Sequence, residues 1–453
     1  MNAQPQHRQP FYVPASPQMV VISRRKYTPT TWVEHLLLIL TIMLFPMEEV
    51  LPNLGGYSSG FLLFVISSIY IVFQRFGSIT KVWNHPVLLA SYVLILLGLL
   101  LETYSPFASY REITRIAQMC IGAVVIATLC RDTRALRICI FGYILVCIFL
   151  SLYLFLTSYG ALQGATATNF SEASKLRAEV YQENSLNANV NSLAFFLAQG
   201  TAVALAIALM SRSAFIHYSL FGVTALGFIA SFLPLSRSGT AITLIACVAV
   251  VLAYLGANRR SAFRRFMRII VLMLGLGVCM LLWVPQAVLS RLTVPAPSPD
   301  GTTDARVKTY QAAWDHLPEY GLTGVGAGNF WEGPWGKHST YFQRHGVLGA
   351  HNCFIQVAIY WGLPGLLSLI SVVYYAYKCL PKECGNDPLR LAVLGVVVTL
   401  FGLMFVMHNL AFKGFSLGLG ILVGAQHWIW PAGETQFFGG IVQKTLTKNG
   451  TAS

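Results

Sequence analysis

An all-α bundle of about twelve membrane-spanning helices is the fold that this sequence predicts. Three observations predict it. Of the 453 residues, 55% are hydrophobic and only 11% are charged, against roughly a quarter charged in an average soluble domain. The apolar residues fall in blocks of about 20, the length that crosses a hydrocarbon core at about 1.5 Å per residue. The basic residues concentrate in short loops between those blocks, where they set orientation. The net charge of +14 therefore reads as topology, and nucleic acid is not an expected partner.

Residues 1–31 are polar and proline-rich. They lack the compact apolar stretch and small-residue cleavage site of a signal peptide, so they read as a cytoplasmic tail. Nine apolar blocks follow, at approximately 32–47, 57–73, 86–103, 113–130, 136–158, 189–210, 215–234, 238–256 and 269–289. The first is short for a span, which tilt or extension accommodates. Residues 290–352 form a large loop, 353–377, 389–408 and 411–431 give three more helices, and 432–453 form a second tail. No fixed-period repeat is visible, so the inverted repeat of many transporters is not evident.

With the N-terminus inside, 20 of the 31 lysines and arginines fall on the inner side and 11 on the outer, where most acidic residues also lie. The positive-inside rule is then obeyed loop by loop, with both termini in the cytoplasm of a bacterial-type inner membrane. Nine cysteines are present, none inside the 290–352 loop and none in a CxxC pair, so neither a disulfide framework nor a zinc site has support.

Two outer segments exceed simple turns, 159–188 and 290–352. The longer opens with "TVPAPSPDGTTD", a loop composition. Thr303 or Asp304 then reads as the cap of a short helix running through about Leu317. "GLTGVGAGNFWEGPWG" after it is an irregular backbone suited to close approach by a ligand. Such a backbone needs water or protein around it.

Three residues stand out by placement: Arg237 in "PLSRSG", Arg306 in "DARVKTYQAAW" and His351 in "GAHNCF". All three are expected at the outer interface. Guanidiniums match phosphate oxygens with a planar fork and stay charged, and a neutral imidazole takes a proton from a hydroxyl near neutral pH. Plainer readings stand beside these. An outer arginine anchors a helix end at the headgroups, His351 serves structure, and Asn352 caps the tenth helix. Trp314, Trp331, Trp335 and Tyr341 either stack on sugars or form an interfacial belt. The Gly324–Gly326–Gly328 run lacks the preceding strand of a dinucleotide-binding loop.

The motifs taken in order resemble the O-antigen ligase and polysaccharide polymerase superfamily. "SRSG" opens an apolar helix, "DARVKTYQAAWDHLPEYGLTGVGAGNF" fills the outer loop, and "HNCFIQVAIYWGLPGLL" re-enters the membrane. "NANVNSLAFFL" at 187–197 is similar to an asparagine-rich helix start in the family. The similarity covers roughly residues 185–375. One departure is Tyr360, where many members carry an acidic residue, so the acceptor here is open to difference.

The resemblance implies a metal-independent glycosyltransferase without a cofactor, using a polyprenyl-diphosphate-linked glycan donor and a glycan or lipid-linked acceptor. It implies catalytic roles for His351, Arg306 and Arg237, and substrate contacts from Arg237, Arg306, Asn352, Trp314, Gly326, Gly328 and Asn329. Lipopolysaccharide or exopolysaccharide synthesis is the setting, with membrane lipids and other polysaccharide assembly proteins as further partners. Ligase and polymerase are not separated by it. A transporter would place ionisable residues mid-membrane, and these spans are almost free of them. A non-catalytic assembly subunit would tolerate loss of all three named residues.

Overall fold

The structure, a computed structural model, describes residues 29–47, 58–101, 106–159, 190–257, 275, 310–315, 317–327, 352–381, 383–406 and 413–430. Eleven long helices occupy eleven of the twelve expected blocks. They are α1 (Trp32–Met47), α2 (Ser59–Trp83), α3 (Pro86–Leu100), α4 (Pro106–Leu129), α5 (Thr133–Leu154), α6 (Val190–Met210), α7 (Ala214–Ala230), α8 (Arg237–Ala257), α9 (Cys353–Cys379), α10 (Pro388–Val406) and α11 (Lys413–Gly424). The 269–289 block and both tails lie outside the described residues. No β-strand occurs among the described residues. Seven helices are long and apolar enough to cross a membrane, and α1, α3, α7 and α11 belong to shorter apolar helices. The all-helical membrane fold expected from the sequence is what the chain adopts.

Local chemistry sets the helix starts. Thr31 and Glu34 form a reciprocal capping box, Thr31 N donating to Glu34 Oε2 at 2.6 Å and Glu34 N to Thr31 Oγ1 at 3.3 Å. Ser58 Oγ accepts from Phe61 N at 3.2 Å, and Asp132 Oδ1 from Ala135 N at 2.7 Å. His85 caps α3, whose first residue is Pro86, a position where no amide donor is needed.

The expected second span ended at residue 73, yet α2 continues to Trp83. Arg75 and Lys81 are therefore helical residues and not loop residues. Arg75 leaves helical geometry (φ −138°, ψ 25°) within α2, and its guanidinium reaches Glu34 Oε1 at 2.6 Å. Pairing satisfies its charge without ending the helix. Arg131 also bonds Glu34, at 2.9 Å, so one fully buried carboxylate holds two guanidiniums. This cluster joins the start of α1, the end of α2 and the α4–α5 turn at one end of the bundle.

At the centre stands α6, whose apolar stretch is 89% buried, whereas that of α2 is 17% buried. Helix α6 packs against α5, α7, α8 and α10. Small residues permit this: a Cβ on Gly200 would sit 2.5 Å from Cys147 Cβ and 2.7 Å from the Tyr143 carbonyl. Lipid supplies no hydrophobic drive between helices, so backbone proximity and dispersion hold them together.

Candidate functional site

Arg237 opens α8 in a turn held from several sides. Leu235 adopts a left-handed backbone (φ 54°) although its side chain is buried, a conformation that costs an L-residue on the order of 1–2 kcal/mol. The amide of Leu235 bonds the Phe232 carbonyl at 2.9 Å. Ser236 caps α8, its Oγ accepting from Gly239 N at 3.2 Å and donating to Asn191 Oδ1 at 2.9 Å. Thr240 Oγ1 lies 3.0 Å from the Ser231 carbonyl and 3.2 Å from that of Ser236. A buried left-handed leucine persists only where its surroundings over-determine it, and these contacts do so.

In the outer loop, residues 310–315 are helical, in keeping with the helix expected to run to about Leu317. A short helix, Leu317–Tyr320, follows. Tyr320 donates its hydroxyl to the Ala313 carbonyl, tying the two together. Burial pushes that hydroxyl up to about 12, so it stays a neutral donor. Ala313, Tyr320, Val325 and Ile359 form a small apolar cluster. Trp314 points away from it and is 74% exposed.

The glycine-rich turn docks on a break in α9. Gly362 is non-helical (φ 59°, ψ −150°), and Pro364 follows inside the helix. In an unbroken helix Leu363 would bond the Ile359 carbonyl and residue 364 that of Tyr360. Pro364 has no amide hydrogen, and Leu363 donates instead to the Gly321 carbonyl at 2.9 Å. Val325 N and Gly326 N fill the two vacated acceptors, at 2.9 Å to Ile359 O and 3.0 Å to Tyr360 O. Gly324 and Gly326 have φ of 76° and 83°. A Cβ at Gly324 would collide with the Tyr360 carbonyl and lie 2.5 Å from Trp361 N. The close approach that these glycines permit is thus made by the backbone of α9. The "GLTGVG" and "YWGLPG" motifs are two halves of one hydrogen-bonded unit.

Asn352 caps α9, its Oδ1 accepting from Phe354 N at 2.9 Å and Ile355 N at 3.1 Å. Its Nδ2 lies 3.5 Å from the Phe405 carbonyl at the end of α10. One turn earlier in α10, a Cβ on Gly402 would sit 3.1 Å from Ile242, in the second turn of α8. The Arg237 turn and the Asn352 cap therefore lie at the same end of the bundle. The Glu34–Arg75–Arg131 cluster lies toward the opposite end, since α9 runs from its Asn352 cap to Cys379, 3.9 Å from His85, and His85 follows the end of α2. His351, Arg306, Gly328 and Asn329 lie outside the described residues.

The decisive comparison concerns this assembly. Residues 222–370 match the model of the O-antigen ligase family. The O-antigen ligase segment takes in the Arg237 turn, the loop elements at 310–327 and α9 through its break, so the resemblance carried by the motifs is borne out. It supports a multi-pass membrane protein of the ligase and polymerase type, whose family acts on lipid-linked glycans. No curated protein matches the chain.

Two residues that hold the Arg237 turn had no role in the sequence reading. Ser236 carried a legible signal, a serine three residues before the glycine whose amide it caps. Asn191 lay in a segment noted only for resemblance, and its contact spans 45 residues of sequence.

Proposed function

We propose that this protein transfers a glycan from a polyprenyl-diphosphate carrier to an acceptor hydroxyl at the outer face of the inner membrane. One observation carries the reading. The O-antigen ligase match covers both the arginine-bearing turn and the loop–α9 unit, and the turn lies at the same end of the bundle as the Asn352 cap of α9.

In the proposed reaction the acceptor oxygen attacks the anomeric carbon and the bond from that carbon to phosphate breaks. Arg237 and Arg306 hold the diphosphate and its developing charge as it leaves with the polyprenyl chain. His351, next in sequence to the α9 cap, takes the acceptor proton. The exposed Trp314 offers a face for a sugar ring. Gly326, Gly328 and Asn329 are substrate contacts in this reading, and Asn352 holds the start of α9. The arginines supply the positive charge that a divalent metal supplies elsewhere. Both termini face the cytoplasm in this reading.

The test incubates purified protein with a defined polyprenyl-diphosphate glycan and candidate acceptors, with and without EDTA. Transfer of one glycan, insensitive to EDTA, is the expected result. A ladder of products identifies a polymerase acting on lipid-linked repeats. No transfer in any pairing overturns the enzymatic reading and favours a transporter or assembly subunit.

A further inference from the structure

Asn191 sits in the first turn of α6, and its amide oxygen accepts the hydroxyl proton of Ser236 at 2.9 Å. Ser236 is buried, and its own Oγ accepts the Gly239 amide at 3.2 Å. The hydroxyl is thereby committed in both directions, outward to α6 and inward to the first turn of α8. Three residues on from each partner the two helices touch again, because a Cβ on Gly239 would collide with the Cβ of Ala194. The α6–α8 crossing is therefore closed at this end by one polar contact at Ser236 and one steric contact at Gly239, with Arg237 and Ser238 between them. Two residues before Arg237, Leu235 is held in the left-handed region. Neither of the two residues before Arg237 is able to rotate without losing the Ser236 hydrogen bonds or displacing a buried leucine.

We propose that Asn191 is a positioning residue for Arg237, holding its turn through the Ser236 hydroxyl so that the guanidinium meets the diphosphate head of the carrier in one fixed orientation. This rests on the reading of Arg237 as a diphosphate ligand. An arginine on a mobile turn loses backbone as well as rotamer freedom on binding, whereas one whose backbone is already fixed loses only the rotamer freedom. The O-antigen ligase segment begins at residue 222, so the clamp is supplied from outside it, by a helix that packs on α8.

The experiment measures the Kd of the full-length protein in nanodiscs for two probes of equal chain length, a polyprenyl diphosphate and the uncharged polyprenol. Wild type is compared with Asn191→Ala, Ser236→Ala, Arg237→Ala and the Asn191→Ala/Arg237→Ala pair. Amide exchange over residues 232–240 and the thermal midpoint are followed alongside. Asn191→Ala is expected to weaken diphosphate binding about tenfold, a modest share of what misplacing a reacting group costs. It should leave polyprenol binding unchanged, lower the thermal midpoint only by the small amount that one lost hydrogen bond accounts for, and speed exchange at Gly239. Added to Arg237→Ala, it should weaken binding no further. A general loss of structure would weaken both probes alike, and that result overturns the proposal. So does normal diphosphate binding by Asn191→Ala when Arg237→Ala is impaired, or an equal loss in both backgrounds. If Arg237→Ala itself binds diphosphate normally, the diphosphate reading has failed, and the positioning role falls with it.

Discussion

The carbonyl of Tyr360 accepts the backbone amide of Gly326 at 3.0 Å, in place of the bond that Pro364 is unable to give. A membrane helix with a proline and a non-helical glycine leaves orphan carbonyls, and these are costly in a medium without water. Here the outer loop supplies the missing donors. The loop and the helix break thus exist for each other, and damage to either should release both.

Gly324→Ala tests this coupling. The native φ of 76° and the adjacent Tyr360 carbonyl leave no room for a Cβ. The strained conformation alone costs on the order of 1–3 kcal/mol. The turn should undock, with faster proteolysis near residue 324 and reduced transfer, while insertion into the membrane is retained. Unchanged proteolysis and activity would refute the coupling.

Glu34→Gln removes the carboxylate that holds Arg75 and Arg131, whose side chains are 15% and 2% exposed. Breaking a buried pair by deleting one partner costs about 3–5 kcal/mol, because the remaining charge stays buried. The thermal midpoint should fall clearly, and a further Arg131→Leu exchange should recover part of the loss.

His85 lies in the turn between α2 and α3. Its Nδ1 accepts the Val87 amide and its Nε2–H donates to Gln426 Oε1 at 2.7 Å, with the Cys379 thiol 3.9 Å away. Burial pushes the imidazole down to about 4, against partial opposition from Gln426. The folded protein therefore holds His85 neutral where the unfolded chain takes up a proton. Stability is fully present above the ordinary histidine value and lost as pH falls from near 6.5 toward about 4, by at most about 3 kcal/mol. Melting in detergent across that range should show the fall in wild type and a flatter profile in His85→Asn.

The assigned roles predict distinct kinetic signatures. His351→Ala should bind donor and lose turnover, since general base help is worth about 10²–10⁴ in rate. Arg306→Lys keeps the charge without the fork and should remain impaired. Arg237→Ala should weaken donor binding and turnover together. If the His351 variant transfers at a near-normal rate, the base assignment fails. If both arginine variants bind and turn over normally, they are interfacial anchors instead.

Reporter fusions at Ser298 and Ser453 test the orientation. An outward signal at Ser298 and an inward one at Ser453 are expected. The reverse at either position would remove the proposed site from the outer face.

Composition and block length alone determined the membrane-spanning class, since a chain with so few charges has no other way to cover its surface. The spacing of "SRSG", the glycine-rich run and "HNCF" likewise announced the family without any coordinates, because each motif is contiguous. Tertiary structure decided the rest. The continuation of α2 to Trp83 depended on Glu34 accepting Arg75 across 41 residues, and the role of the glycines depended on carbonyls that Pro364 exposes 38 residues after Gly326. Asn191 and Ser236 met only when α6 and α8 crossed. A one-dimensional reading sees which residues have polar groups to satisfy. Which partner satisfies them is settled only when packing excludes water and lipid from every alternative.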